Sequence, residues 1–235
     1  MPQPDPNAAA PRGGPAFLFD LDGTLVDSVY QHVLAWREAL EAVGIELAVW
    51  RIHRRIGMSG GLLANALLRE TGHQVTPEEA GRLQRLHTEA YVRQAGQLRP
   101  LPGARELLAH LSQAGVPWTV ATSGRMETAR PALEVLGVGP EVPVVTRDQV
   151  PRAKPDPDLF LAAAARLGVP IASAFVVGDS VWDLLAARRA RALGVGLLSG
   201  GYGREELQHA GAYRVYDDPR DMLTHLDEIG VRRPL

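Results

Sequence analysis

The 235-residue sequence contains no cysteine. Disulfide bonds, thiol nucleophiles and zinc–thiolate sites are therefore excluded, and the composition suits a reducing compartment, so we expect a cytoplasmic protein. No apolar run approaches the ~20 residues of a membrane span. Residues 1–15 are rich in proline, alanine and glycine and have no apolar segment of the kind found in signal peptides, so we predict a disordered N-terminal tail.

A strong excess of charge is also missing. Lysine and arginine total 25 and aspartate and glutamate total 27, which gives a formal net charge of −2. This balance provides no electrostatic reason to expect nucleic acid or a membrane as a partner. Lysine itself is nearly absent, because Lys154 is the only one. A compact ammonium and a planar guanidinium are not interchangeable at a tight site, so Lys154 is a candidate functional residue.

The most informative segment is a short apolar run, 16–19, that stops at Asp20 and Asp22 and is followed by a Gly-Thr turn. The pattern predicts a buried strand that ends at the two aspartates. Residues two apart in an extended chain point to the same side, so both carboxylates can share one small site. Two such charges are costly unless a cation lies between them or one carboxyl is protonated. The alternative is an ordinary turn that contains two aspartates.

A helical insertion is predicted after this segment. Apolar residues from Val29 to Val43 recur with helical spacing, and Ser28 with Gln31 matches a capping box. We therefore interpret Asp27 and Ser28 as residues that begin a helix. No strand pattern occurs over 47–98, and Thr76 begins another helix. These features predict a helical domain over 28–99, inserted into a core formed by 16–27 and 100–235.

The rest of the chain alternates short apolar segments with amphipathic helices. This alternation predicts an α/β fold with a doubly wound parallel sheet. Within it, Asp156 is predicted to cap the helix that follows Pro157.

Several of the predicted strands end in polar residues. Thr122 and Ser123 follow one strand, Asp179 follows another with Asp183 one turn later, and Lys154 lies in a loop. The carboxyl ends of parallel strands meet at one edge of a sheet. Carboxylates suit Mg²⁺, whereas hydroxyls, backbone N–H groups and an ammonium suit phosphate. The set therefore predicts a site for phosphoryl transfer.

Each of these residues also has a purely structural interpretation. Asp183 would be an acidic residue in the first turn of its helix. Lys154 would be a solvated cation in a loop, and Thr122 and Ser123 would be ordinary turn hydroxyls.

Four segments in the same order resemble the motifs of the haloacid dehalogenase-like phosphohydrolases. They are 20–28, 120–124, Lys154-Pro155 with Pro157, and 178–183. The helical insertion resembles the α-helical cap of these enzymes, and the phosphoglycolate phosphatase and β-phosphoglucomutase branch is the most similar. Four motifs in order are far more specific than one.

The resemblance implies a Mg²⁺-dependent phosphatase acting on a small phosphorylated metabolite. It implies that Asp20 is the nucleophile, which forms an aspartyl-phosphate, and that Asp22 is the general acid and base. Asp20 and Asp179 would hold Mg²⁺ together with the backbone carbonyl of Asp22, and Asp183 would complete the shell directly or through water.

The resemblance also assigns the phosphoryl oxygens to Thr122, Ser123 and Lys154. In the helical insertion, the loop 57–61 with Ser59 would face the site. His32 resembles a histidine used in cap closure, although a histidine on the helix surface is the alternative. Arg55 is a further candidate for substrate contact.

Other functions stay open at this stage. A phosphomutase is disfavoured because Gly60 and Gly61 stand where β-phosphoglucomutases carry an arginine. A metal-independent dehalogenase needs neither Asp22 nor Asp179, and a non-catalytic binding module would not need the acidic set. Either a monomer or a homodimer is compatible with the sequence.

Overall fold

The structure is a computed structural model that describes residues 14–70, 72 and 76–231. The predicted disordered tail lies outside the described residues except for Gly14 and Pro15. Six strands form one parallel sheet: β1 (Ala16–Phe19), β4 (Trp118–Ala121), β5 (Val144–Val145), β6 (Ala174–Gly178), β7 (Leu193–Leu197) and β8 (Ala212–Tyr216). Their order is β5-β4-β1-β6-β7-β8. Two further strands, β2 (Val26–Asp27) and β3 (Arg99–Pro100), form a separate antiparallel pair.

Helices fill the connections between the strands. They are α1 (Val29–Glu41), α2 (Val49–His53), α3 (Gly60–Glu70), α4 (Pro77–Arg93), α5 (Ala104–Gln113), α6 (Met126–Leu136), α7 (Asp158–Leu167), α8 (Val181–Ala190), α9 (Arg204–Ala210) and α10 (Pro219–Thr224). Short 3₁₀ turns occupy Ala95–Gln97, Arg147–Gln149, Ile171–Ser173, Leu198–Gly200 and Leu226–Ile229. Among the described residues, no helix combines the length and apolarity needed to span a membrane. The predicted α/β class with a parallel sheet is confirmed.

The central strand β1 is buried on both faces, which explains why its sequence is a continuous apolar run. Phe17 and Phe19 pack into the core on one side of the sheet. Ala16 and Leu18 pack into the core on the other side. Successive side chains of a strand point to opposite faces, so β1 is held between two helical layers and its end is fixed rigidly.

Helices α1 to α4 have an apolar core of their own, to which Val33, Trp36, Leu67 and Leu83 contribute. The helix start predicted at Thr76 is confirmed, and a capping box formed by Thr76 and Glu79 begins α4. The segment that leads from the sheet to these helices pairs with the segment that leads back, because Val26 pairs with Pro100 and Asp27 with Arg99. The two connections thus run beside each other at the predicted bounds of the helical insertion, 28 and 99.

Two predicted helix caps are wrong. Ser28 precedes α1, but its side chain makes no capping hydrogen bond. Its hydroxyl instead donates to Asp22 Oδ1 at 2.6 Å, because the turn after β1 brings that carboxylate within reach. Asp156 does not cap α7, since Pro157 holds the cap position and Asp158 begins the helix. The Asp156 carboxylate lies 3.8 Å from Arg189.

Candidate active site

The site lies where three adjacent strands end. Asp20 follows β1, Thr122 follows β4 and Asp179 follows Gly178, the last residue of β6. The chain winds outward from β1 to β5, then crosses back to β6 and winds outward in the other direction. The reversal falls beside β1, and the crevice at such a reversal is where open α/β sheets bind ligands.

The Lys154 ammonium joins two of the site's carboxylates. It forms an ion pair with Asp20 and lies 2.7 Å from Asp183 Oδ1. The lysine side chain is fully buried. Burial alone would lower the pKa of Lys154, but Asp183 and Asp20 outweigh this effect and raise that pKa above its ordinary value. Lys154 is therefore a fixed positive charge, and not the solvated loop cation of the alternative interpretation.

A compact acidic cluster surrounds this lysine. Asp20, Asp179 and Asp183 each offer a carboxylate oxygen, and these oxygens lie within 4.8 Å of one another. Burial, opposed by Lys154 and reinforced by Asp183, raises the pKa of Asp20 to about 7. Burial together with Asp183 and Asp20 raises the pKa of Asp179 well above its ordinary value. Buried like charges of this kind favour a bound cation, and the all-oxygen donor set fits a hard divalent ion.

Two glycines make room for Asp179. A Cβ atom at Gly200 would lie 1.8 Å from Asp179 Oδ2, and one at Gly23 would lie 2.5 Å from the same atom. The hydroxyl of Thr24 donates to Asp179 Oδ1 at 2.9 Å. The carboxylate is thus held by close backbone approach from two separate loops.

Asp183 has structural contacts in addition to its place in the acidic cluster. Its Oδ2 accepts hydrogen bonds from the backbone N–H and the hydroxyl of Ser180, which completes a capping box at the start of α8. Its Oδ1 faces Lys154. The helix-start interpretation of Asp183 is therefore correct as a description of its contacts, and it coexists with membership of the acidic cluster.

The Asp22 carboxylate has hydrogen-bond partners that do not belong to the acidic cluster. Its Oδ1 lies 3.2 Å from His32 Nε2, accepts the Ser28 hydroxyl at 2.6 Å, and lies 3.5 Å from the Tyr91 hydroxyl. Burial would raise the pKa of Asp22, but His32, Ser28 and Lys154 together hold it below its ordinary value. Asp20 and Asp22, which are two residues apart in the sequence, thus have different partners.

Behind His32 lies a second histidine from α4. His32 Nδ1 is 3.0 Å from His87 Nε2, and the Trp36 ring stacks on His87 at 4.3 Å between centroids. Tyr91 stacks on His32 at 3.9 Å. Burial, with a contribution from His32, lowers the pKa of His87 well below its ordinary value. One hydrogen bond joins the two rings, and which nitrogen donates depends on their tautomers.

Hydroxyl groups lie at the end of β4. Thr122 is buried, and its Oγ1 accepts a hydrogen bond from Gly124 N at 3.0 Å. The Ser123 hydroxyl is shielded from solvent and has no hydrogen-bond partner among the described residues. A buried hydroxyl without a partner is costly unless a ligand satisfies it. Both residues line a cavity of about 510 Å³ that also contains Asp20 and Lys154.

The candidate residues of the helical insertion have different positions. His32 and Ser59 line the cavity. The backbone N–H of Ser59 donates to Lys154 O at 3.4 Å. Arg55 is not brought to the cavity, because its guanidinium Nε donates to Glu70 Oε1 at 2.9 Å.

Sequence reasoning did not assign to the site four residues that contact Asp22, Asp179 or His32. They are Thr24, Ser28, His87 and Tyr91. The Gly-Thr turn after Asp22 is a sequence signal for Thr24. His87 and Tyr91 share one face of α4 at i, i+4, a spacing that sequence alone equates with ordinary core packing.

Comparisons with known proteins agree with this geometry. A family model described as haloacid dehalogenase-like hydrolase matches residues 15–191. Hexitol phosphatase A of Escherichia coli is 36% identical over 177 residues, which cover 74% of this chain and 78% of the relative. A phosphoglycolate phosphatase of Caulobacter vibrioides is 31% identical over 220 residues, with 91% and 92% covered. The crystal structure of a hydrolase from Pseudomonas syringae is 56% identical, with a TM-score of 0.90 over 92% of this chain and 100% of that chain.

The chain therefore belongs to the haloacid dehalogenase-like hydrolase family. The predicted family and its phosphatase branch are confirmed. The predicted enzyme class, a phosphoric monoester hydrolase, is confirmed by the relatives of known class.

Proposed function

We propose that the protein is a Mg²⁺-dependent phosphatase that hydrolyses a phosphomonoester of a small metabolite through an aspartyl-phosphate. The observation that carries the proposal is the arrangement of Asp20. Its carboxylate is paired with the buried Lys154 ammonium, belongs to the three-carboxylate cluster, and lies at the cavity.

Asp20 is the nucleophile in this proposal. Its carboxylate oxygen attacks phosphorus, an oxygen–phosphorus bond forms, and the bond from phosphorus to the ester oxygen breaks. Lys154 stabilises the ionised form of Asp20 and neutralises charge on the phosphoryl oxygens. Thr122 and the unpartnered Ser123 hydroxyl bind the same oxygens.

Asp22 transfers the protons. It donates to the departing ester oxygen and then, as a carboxylate, accepts a proton from the water that attacks the phosphorylated Asp20. Its contacts with His32 and Ser28 favour the ionised form needed in the second step. An anionic phosphate bound beside Asp22 favours the protonated form needed in the first step, because a nearby negative charge raises the pKa of a carboxyl.

Asp20 and Asp179 would hold the Mg²⁺ ion, with the backbone carbonyl of Asp22 and with Asp183 directly or through water. The ion would supply positive charge to the phosphoryl oxygens. The residues fit such an ion because the three carboxylates of the cluster are buried and close together.

Residues 28–99 act in this proposal as a cap domain over the site. His32 and Ser59 line the cavity from this segment, so substrate entry requires it to move relative to the sheet. The paired connections β2 and β3 are the place where such movement would be centred. The relatives suggest a substrate of the sugar-phosphate or phosphoglycolate type.

The decisive experiment assays Asp20→Asn on a panel of phosphorylated metabolites, with Mg²⁺ and with a chelator. We expect the wild type to turn over substrate only when Mg²⁺ is present. We expect Asp20→Asn to show no turnover, although its thermal stability equals or exceeds that of the wild type. Asp227→Asn is the matched control, since Asp227 is an exposed acid of the 3₁₀ turn Leu226–Ile229 and does not line the cavity. Full activity in Asp20→Asn would refute the proposal.

A further inference from the structure

The cavity extends from Asp20 toward the edge strand β5. Arg147 follows β5, Arg152 lies two residues before Lys154, and both arginines line the cavity. Neighbouring strands are about 4.8 Å apart. Because β5 is two strands away from β1, the backbone at Arg147 begins roughly 10 Å from the Asp20 strand.

Neither arginine is neutralised by a carboxylate within the part of the chain that the structure describes. Arg147 donates to the backbone carbonyl of Val150 at 2.6 Å, and the Arg152 guanidinium has no hydrogen-bond or ion-pair partner there. Other charges on the same wall are paired: Arg125 with Asp148 at 3.4 Å, and Asp156 with Arg189 at 3.8 Å. Arg147 is half-buried and Arg152 is exposed, and both bring positive charge to the cavity that no carboxylate of the described residues offsets.

The helical insertion contributes both apolar side chains, such as Leu62 and Leu63, and neutral polar ones to the cavity. Asn65, Gln84 and Thr88, which belong to α3 and α4, line the cavity there. Gln84 donates through Nε2 to Ala80 O at 3.2 Å, which leaves its amide oxygen available as an acceptor. Amides and hydroxyls of this kind suit a hydroxylated carbon chain. A volume of about 510 Å³ lies within the usual range for metabolite pockets, roughly 300–1,000 Å³.

We propose that Arg147 and Arg152 form a subsite for a second anionic group, so that the substrate is a polyhydroxylated phosphomonoester with a negative charge at its far end. This inference rests on the proposed phosphatase function. A guanidinium presents a planar fork that matches a carboxylate or a phosphate. A six-carbon chain is long enough to extend from Asp20 toward the strand that precedes Arg147, so the probes below have this length.

Three matched probes test the subsite: 6-phosphogluconate, glucitol 1,6-bisphosphate and glucitol 6-phosphate. They share the carbon chain and the phosphate and differ only at the far end, which is a carboxylate, a phosphate or a neutral alcohol. We expect kcat/KM for at least one of the two anionic probes to exceed that for the neutral probe at least tenfold. The preferred anionic probe identifies the group that the subsite binds.

The variants are Arg152→Gln, Arg147→Gln and Arg152→Lys, with Arg130→Gln as the control. Arg130 is an exposed residue of α6 that does not line the cavity. We expect each glutamine variant at the cavity to lower the anionic-to-neutral ratio of kcat/KM by roughly ten- to a hundredfold, as for the loss of one charge-assisted hydrogen bond. Arg152→Lys keeps the charge without the fork, so its loss should be smaller.

The outcome also separates this inference from the proposed function. Hydrolysis of p-nitrophenyl phosphate by the wild type, with no preference for either anionic probe, would refute the subsite and leave the phosphatase proposal standing. A ratio unchanged in Arg152→Gln and Arg147→Gln, or lowered equally in Arg130→Gln, would likewise refute the subsite. Absence of hydrolysis of any phosphomonoester would refute both proposals.

Discussion

His87 on α4 lies 3.0 Å from His32 on α1, and this contact connects the helical insertion to the carboxylate of Asp22. Both histidines are buried, and His32 is held between Asp22 and His87 through its two ring nitrogens. A partner hydrogen-bonded behind a functional side chain holds that side chain in one orientation. The position of Asp22 therefore depends on a residue 55 positions away from His32 in the chain.

The first prediction concerns this histidine pair. His87→Phe removes the partner of His32 Nδ1, so the His32 ring is free to rotate and Asp22 loses its alignment. We expect kcat to fall about tenfold, equivalent to roughly 1.4 kcal/mol of barrier. His87→Gln is the matched control, because its amide nitrogen can occupy the place of Nε2 and keep most of the activity. Steady-state kinetics at pH 7.5 measure the effect, and wild-type kcat in His87→Phe would contradict it.

The second prediction concerns the buried ammonium. Lys154→Met leaves Asp20 and Asp183 as buried carboxylates without their shared cation. Removing one partner from a buried ion pair costs about 3–5 kcal/mol, so we expect a large fall in the free energy of unfolding and no turnover. Denaturant titration measures the stability.

A double variant provides the control for this effect. Adding Asp183→Asn to Lys154→Met removes one of the two uncompensated charges, so it should recover part of the lost stability. If the double variant were as unstable as the sum of the two single variants, repulsion between uncompensated charges would not be the cause.

The third prediction follows from the close approach of Gly200 to Asp179. Gly200→Ala places a methyl group where Asp179 Oδ2 now lies, so the carboxylate or its loop must move. Overpacking of this kind costs about 1–3 kcal/mol, and we expect weaker Mg²⁺ binding by calorimetry. Gly96→Ala is the control, because a Cβ atom there meets nothing within 4 Å. Equal Mg²⁺ affinity in wild type and Gly200→Ala would argue against Asp179 as a ligand.

The fourth prediction concerns pH and the cation. The raised pKa values of Asp20 and Asp179 mean that both carboxyls favour folding most when protonated. An aspartate in the unfolded chain has a pKa of about 4, and below this pH the contribution of the two carboxyls to the stability of the fold is fully present. For Asp20 this contribution is lost as the pH rises toward about 7, the pKa of the group in the folded protein. A divalent ion stabilises the ionised forms, so the rise in Tm on adding Mg²⁺ should be larger at pH 7.5 than at pH 5. Thermal unfolding with and without Mg²⁺ measures this, and Asp179→Asn should abolish most of the difference.

A rise in Tm of equal size at both pH values would contradict the fourth prediction. Ca²⁺ at the same concentration serves as a comparison for the ion, because it accepts longer and less regular coordination than Mg²⁺.

The sequence by itself determined the parts of this protein that depend on local patterns. The apolar run 16–19 predicts a buried strand. The helical spacing after Val29 and the helix start at Thr76 predict two helices, and the structure confirms all three elements. These signals are local because a strand alternates over two residues and a helix repeats over about 3.6. The sequence also predicts that the strand ends meet, since parallel strands bring their carboxyl ends to one edge of a sheet.

Tertiary structure alone decided which partner each polar group has. Ser28 has the sequence pattern of a helix cap, yet its hydroxyl binds Asp22, and Arg55 turns to Glu70 instead of the cavity. His87 reaches His32 only because α4 packs along α1, a contact that no local pattern encodes. Hydrogen bonds depend on distances of a few tenths of an ångström, and for residues far apart in the chain the packing of whole helices sets those distances.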